Sequence, residues 1–209
     1  MRNLLSKSKT HLQQQSIKLS LIITILCFSL LCINTEDAIA QTQNDRTQQL
    51  KVAFIFNIAR YVKWPNYVND TSIVNLCFIE QNPFNSAIQS INNKYFGNKR
   101  MSVKSNIYLN KKNNCQIIFL TQQQINNIAL DMQNKTQAEN HNRYSLLFDK
   151  NILIMGDKTN NAINTEELGP LIITLIRRGS NIGLNISIEP LNESNIKLSS
   201  QLLKLSRSN

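Results

Sequence analysis

The sequence predicts an α/β fold, one three-layer domain around a mostly parallel sheet, and three observations predict it. Short apolar runs alternate with helix-period segments through the middle of the chain, the pattern of consecutive βαβ units. Two strand-like runs near the end, "PLIITLI" and "NIGLNISI", flank Arg177-Arg178-Gly179-Ser180, which reads as an antiparallel hairpin with Gly179 supplying a positive φ. The chain then closes on "SSQLLKLS", where Ser199 is placed to cap a short helix carrying Leu202, Leu203 and Leu205.

The first element expected in the folded domain is the helix "LKVAFIFNIARYVKWP", Leu50 to Pro65. Leu50, Ala53, Phe54, Asn57, Ile58 and Tyr61 recur at helical spacing and give it one mostly apolar face. Lys51, Arg60 and Lys63 interrupt the run, so it falls short of the ~20 apolar residues a membrane span needs. Pro65 disfavours helical geometry at Trp64, so the helix is expected to stop there. Trp64, the chain's single tryptophan, stands beside Arg60 and Lys63. An aromatic among basic residues is a frequent composition of binding hot spots, so these three form a candidate surface for a partner or for a second copy of the chain.

Four strands are expected next. "SIVNLCFIE" (72–80), "RMSVKSNIYL" (100–109), "CQIIFL" (115–120) and "NILIMGD" (151–157) are short, apolar and rich in β-branched residues, as buried parallel strands are. Between the first two, Asn82 and Pro83 are expected as N-cap and first helical position, with Ala87, Ile88 and Ile91 facing inward. After the third, Thr121 is placed to cap the helix 122–133. Residues 134–142 are expected as a mobile loop and Asn195 as a left-handed residue ending a helical turn. Together these elements describe a Rossmann-like sheet whose first three strands lie in the order 2-1-3.

Ahead of this domain stands an export signal. Arg2, Lys7, Lys9 and Lys18 make a positive n-region, Leu19 to Ile33 an apolar h-region, and Ala38 and Ala40 fit the small positions read by a signal peptidase. Residues 1–40 are therefore expected as a signal peptide and 41–209 as the mature periplasmic domain, with 41–47 polar and frayed. The leader carries four basic and two acidic residues, so its loss lowers the net charge from +10 to +8. Such a charge attracts anionic lipid or an acidic protein face. Export makes nucleic acid an unsuitable partner, and the basic residues form no dense run.

Processing also removes Cys27 and Cys32, leaving Cys77 and Cys115. An even pair in an oxidising compartment favours a disulfide, which could stabilise the fold by roughly 4 kcal/mol. Two buried thiols are the alternative.

Catalytic chemistry has little to stand on. His141 is the single histidine of the expected mature chain and lies in a polar segment. Neither a CxxC nor a GxSxG motif is present, and the five glycines are dispersed, without a dinucleotide fingerprint or phosphate loop. No metal-ligand spacing occurs. Glu166 and Glu167 are adjacent and read as a solvated pair. The expectation is a binding protein that is not an enzyme and has no metal or cofactor.

Three segments in order, "LKVAFIFNIARYVKWP", "NLCFIEQNPF" with "CQIIFL", and "NIKLSSQLLKLS", resemble the YfiR family of small periplasmic proteins. Trp64-Pro65, Cys77, Cys115 and Ser199 to Leu203 match position by position. The chain departs from the family where Leu184, Ile186 and Ser187 replace Phe-x-Ile-Asn and where Asn195 replaces a glycine. It also lacks the second cysteine pair of some members, which removes the basis for redox gating. The resemblance implies a periplasmic regulator that represses a membrane diguanylate cyclase through the cyclase's periplasmic sensor domain. The partner it implies is that cyclase or another membrane sensor protein, with an outer-membrane lipoprotein able to sequester the repressor. A periplasmic small-ligand receptor is the competing reading, its pocket expected beyond the carboxyl ends of the parallel strands.

Overall fold

The computed structural model describes Leu21 and residues 35–64, 72–110, 113–159 and 168–207, with side chains described from Gln43 onward in the first helix. The chain divides into two compact units between Arg46 and Thr47. The architecture below is that of the second. The expected n-region, the h-region apart from Leu21, Pro65 and the Glu166-Glu167 pair lie outside the described residues.

Helix α1 spans Thr35–Tyr61, so it includes the stretch 41–47 expected to fray and ends three residues before Trp64. Chain direction then changes in β1 (Val62–Lys63), a two-residue strand paired antiparallel with β9 (Lys197–Leu198). Pairs this short leave no period in sequence, which is why the helix was expected to run on to the proline.

The main sheet has seven strands in the order β3-β4-β2-β5-β6-β7-β8. Its members are β2 (Ile73–Phe78), β3 (Tyr95–Phe96), β4 (Lys99–Lys104), β5 (Ile117–Leu120), β6 (Leu153–Lys158), β7 (Ile173–Arg178) and β8 (Asn181–Ile186). The pairs β2–β4, β2–β5, β5–β6 and β6–β7 are parallel, while β3–β4 and β7–β8 are antiparallel. The expected 2-1-3 order is therefore present as β4-β2-β5. The β7–β8 hairpin closes on Arg178 opposite Asn181, with Gly179 at φ 59°, a value a side chain would make costly.

The pleat sends alternate residues to two cores. Val74, Leu76 and Phe78 of β2 join Ile117 and Phe119 of β5 on one face, under Val52, Ile55, Ile58 and Ala59 of α1 and Leu202 of α5 (Ser200–Arg207). Cys77, Ile118, Leu120 and Ile154 point the other way, against Ile125, Ile128 and Ala129 of α2 (Gln122–Gln133). Helix, sheet and helix make the three layers. Each fully buried aliphatic side chain contributes roughly 1.5–3 kcal/mol relative to exposure.

Helix ends follow their caps. Thr121 opens α2 with a capping box: its side chain accepts from the Gln124 amide, and Gln124 returns a bond to the Thr121 amide. Ser199 Oγ accepts the Leu202 amide at the start of α5. Three expectations are corrected. Asn82 Oδ1 accepts from the Phe84 amide in an Asx turn, and a 3₁₀ helix, Asn85–Ser90, follows with Asn85 at φ 48°. Most of the segment 134–142 belongs to α3 (Gln137–Arg143), opened by a second capping box between Thr136 and Glu139. Asn195 is not left-handed; its side chain donates to Asn151 Oδ1 at 2.8 Å and its amide to the Lys150 carbonyl at 2.7 Å. The remaining helix, α4, is Ile188–Glu193.

Candidate partner surface

The last turn of α1, β1 and the β3–β4 hairpin enclose a shallow two-part cleft. Ala53, Asn57 and Arg60 recur at helical spacing and are all exposed, so they form the outer stripe of α1 while Ile55, Ile58 and Ala59 are in the core. Opposite them the chain between Ser90 and Gly97 makes the second wall of a depression of about 450 Å³, floored by Phe56, Ile91 and Phe96. A neighbouring depression of about 350 Å³ shares Arg60 and Phe96 with the first and adds Lys63, Trp64, Asn98 and Lys99.

Two of the three expected surface residues open to solvent here. Arg60 and Lys63 are exposed, and Arg60 Nη1 donates to Asn57 Oδ1 at 3.3 Å. Trp64 is only 6% exposed, and its indole N–H donates to the Ala59 carbonyl at 3.3 Å. The indole is a wall of the cleft held from the core side. It fixes the chain after β1 relative to the end of α1, where the helix leaves carbonyls without intrahelical partners.

The aromatic floor is ordered by geometry that sequence reading missed. Phe56 and Phe96 meet edge to face, with centroids 5.6 Å apart, and Lys94 Nζ stands 5.0 Å from the Phe56 centroid, a cation–π arrangement. Lys94, Phe96 and Lys99 were not among the expected site residues. They lie more than thirty positions from α1, and the one available signal was the basic-aromatic texture of "KYFGNKR".

Cys77 and Cys115 form a disulfide, with Cα atoms 6.0 Å apart. Both are buried against Ile107, Leu109 and Ile118, on the face of the sheet opposite α1. The bridge joins β2 to the entry of β5, where the Gln116 amide also donates to the Asn75 carbonyl and Gln116 Oε1 accepts from Asn75. Side-chain and disulfide links thus pin the two strands at the start of their ladder.

The switch point of the sheet, between β2 and β5, is filled by the chain itself. Phe84 packs edge to face on Phe78 and Phe119, with centroids 5.9 and 5.1 Å apart. The Ile107 and Asn106 amides donate to the Phe78 and Glu80 carbonyls. A crevice that would hold a ligand beyond the carboxyl ends is occupied there by side chains. A third depression, about 490 Å³, lies at the amino ends of β6 and β7, where Asp149, Lys150, Glu189 and Glu193 share the lining with Phe148 and Pro170.

His141 is exposed and stacks on Phe148, with centroids 5.8 Å apart. Among the described residues no group of three or more His, Cys, Asp or Glu side chains converges as a metal site. No described helix is long and apolar enough to cross a membrane.

No curated protein matches the chain. A family model described as YfiR/HmsC-like matches residues 48–207, from the first turns of α1 in the domain through α5. Proteins of that family are periplasmic regulators in cyclic di-GMP signalling rather than enzymes, and they work with membrane sensor or cyclase partners. With the match covering every element of the sheet and both covering layers, the chain belongs to the YfiR/HmsC-like family.

Proposed function

We propose that this protein is a periplasmic brake on a membrane-bound diguanylate cyclase, acting through the cyclase's periplasmic sensor domain. The observation that carries the reading is the family match across residues 48–207. The export signal supports the compartment, with residues 1–40 removed as a signal peptide. The exposed basic end of α1 supports the contact surface: Arg60 and Lys63 reach the partner, and Trp64 holds the backbone that presents them. An outer-membrane lipoprotein that captures the protein would release the brake, and a homodimer is compatible with the same surface.

Deleting the gene should raise cyclic di-GMP in the native cell, and the rise should disappear when the cognate membrane cyclase is deleted as well. An unchanged cyclic di-GMP level in the single deletion, across growth conditions in which the cyclase is expressed, would sink this reading. Charge reversal at Arg60 or Lys63 should weaken repression without altering the folding transition.

A further inference from the structure

The described lining of the two-part cleft at the end of α1 is basic. Among the described residues Arg60, Lys63 and Lys94 line the cleft as exposed cations, and neither lining includes a described aspartate or glutamate. Arg60 and Lys94 rise from opposite walls, and the floor between them is the Phe56–Phe96 pair. Lys94 is held over that floor by its contact with Phe56, so one rim charge is pre-positioned instead of swinging freely. Tyr95, 67% exposed, adds an aromatic at the rim.

We propose that this cleft seats an acidic polypeptide segment of the membrane partner, its carboxylates on Arg60 and Lys94 and an apolar side chain on the Phe56–Phe96 floor. The inference rests on the regulatory reading above and deepens it by naming the chemistry of the bound segment. Charge complementarity is the first argument. The exposed cations Arg60, Lys63 and Lys94 repel one another and are relieved by an anionic occupant, which also gains in association rate. Shape is the second. A concave cleft with an aromatic floor encloses a chain segment, whereas a planar lipid surface would meet only its rims. The occupant therefore alternates acidic and apolar groups, which is a polypeptide property.

The probe is the peptide acetyl-EEFEE-amide, with acetyl-QQFQQ-amide as its neutral counterpart and vesicles containing phosphatidylglycerol as the lipid arm. Amide and indole NMR shifts of the full mature chain are followed, and Trp64, as the single tryptophan, gives one indole signal beside the cleft. The acidic peptide should shift the Lys94, Phe96 and Trp64 resonances saturably, with affinity that falls as salt is added. The double variant Arg60→Glu/Lys94→Glu should bind at least tenfold more weakly, while Arg60→Lys/Lys94→Arg should stay within about threefold of the natural chain. Equal binding by the charge-reversed variant, equal binding of the neutral peptide, or a response to vesicles in place of peptide would each overturn the proposal.

A cellular arm separates the two readings. If deletion raises cyclic di-GMP but Arg60→Glu/Lys94→Glu represses fully, the cleft is wrong and the brake stands. If the peptide binds as described but deletion changes nothing, the cleft stands and the brake falls.

Discussion

Lys51 Nζ lies 2.7 Å from Asp157 Oδ2, an ion pair that ties the inner face of α1 to the carboxyl end of β6. The two side chains are 7% and 16% exposed. Asp157 is further fixed by Thr159, whose amide and hydroxyl both donate to Oδ1, and the Thr159 carbonyl accepts from Arg177 Nε of β7. Lysine at this position looked like an interruption of the apolar face. In the fold it is the point where the helix is latched to the sheet.

Removing one partner of such a pair leaves the other charge buried, at a cost of about 3–5 kcal/mol. The two halves should differ. In Lys51→Met the carboxylate keeps both donors from Thr159, and the methionine fills the stem's space. In Asp157→Ala the ammonium loses the carboxylate, and Thr159 loses its acceptor. Urea unfolding should therefore find Asp157→Ala the more destabilising by about 1 kcal/mol or more, on the scale of an unsatisfied buried polar group. Equal losses would mean that the Thr159 bonds carry nothing.

Tyr144 and Asp131 give a pH signature. The Tyr144 hydroxyl donates to Asp131 Oδ2 at 2.6 Å, fastening the end of α3 to α2. Burial first, and then the Asp131 carboxylate, push the Tyr144 phenol up to about 12. The same hydroxyl, with Lys135 and Arg143 nearby, holds the Asp131 carboxyl below its usual range. A raised phenol pKa means that the stabilisation is complete below about pH 10, the unfolded value, and is lost as pH rises toward 12. For Asp131 the sign reverses, and the contribution is present above its ordinary range and lost on acidification. Ultraviolet titration of tyrosinate should show a late step near pH 12, and Tyr144→Phe should abolish that step. A natural protein whose titration shows no step that Tyr144→Phe removes would contradict the assignment.

How much of this was legible in the sequence depended on the range of the interaction. Thr121 was readable as a cap because the cap, the Gln124 return bond and the helix period all fall within one turn of chain. The β4-β2-β5 order followed from the alternation of strands and helices, and Gly179 from a two-residue turn between two apolar runs. Asn195 misled because a glycine-like place in sequence is filled by a side chain that reaches Asn151, 44 positions away. The 3₁₀ turn after Pro83 misled because positive φ at Asn85 breaks a pattern that otherwise reads as a helix. The cleft was half legible: Arg60 and Lys63 belong to one continuous segment, but Lys94 meets Phe56 only through the tertiary fold.

Gly183 and Arg178 make a second long-range device. A Cβ at Gly183 would stand 2.6 Å from Arg178 Cδ and 2.7 Å from Nε, so the arginine crosses β8 where no side chain blocks it. Its Nη2 then donates to the Leu184 carbonyl at 2.9 Å and to the Ser206 carbonyl in the last turn of α5 at 3.0 Å. A cation on the carbonyl end of a helix is favourable, and the contact fastens α5 over the hairpin. Gly183→Ala should displace the guanidinium and cost about 1.5–3 kcal/mol, the range for hydrogen bonds to a charged group. In an Arg178→Ala background the same substitution should cost well under half as much, giving strong coupling in a double-mutant cycle. Additive losses would show that Gly183 matters for a reason other than the arginine's path.

Helix α1 starts at Thr35, so the expected cleavage between Ala40 and Gln41 falls inside it. The burial pattern shows what cleavage would cost. From Gln43 to Leu50 every described side chain is exposed or only partly covered, and Lys51 and Val52 are the first buried ones. Trimming the helix at Gln41 therefore leaves every buried residue of the described helix in place, with the basic Arg60 still favouring the carboxyl end. Intact mass of periplasmic material should correspond to a chain beginning at Gln41, and a chain beginning at Thr47 should match its stability to within about 0.5 kcal/mol, the range for solvent-facing changes. Recovery of a membrane-bound species retaining residues 1–40 would overturn the cleavage. A stability loss of several kcal/mol on trimming to Thr47 would instead show that the residues before the core helix help hold the fold.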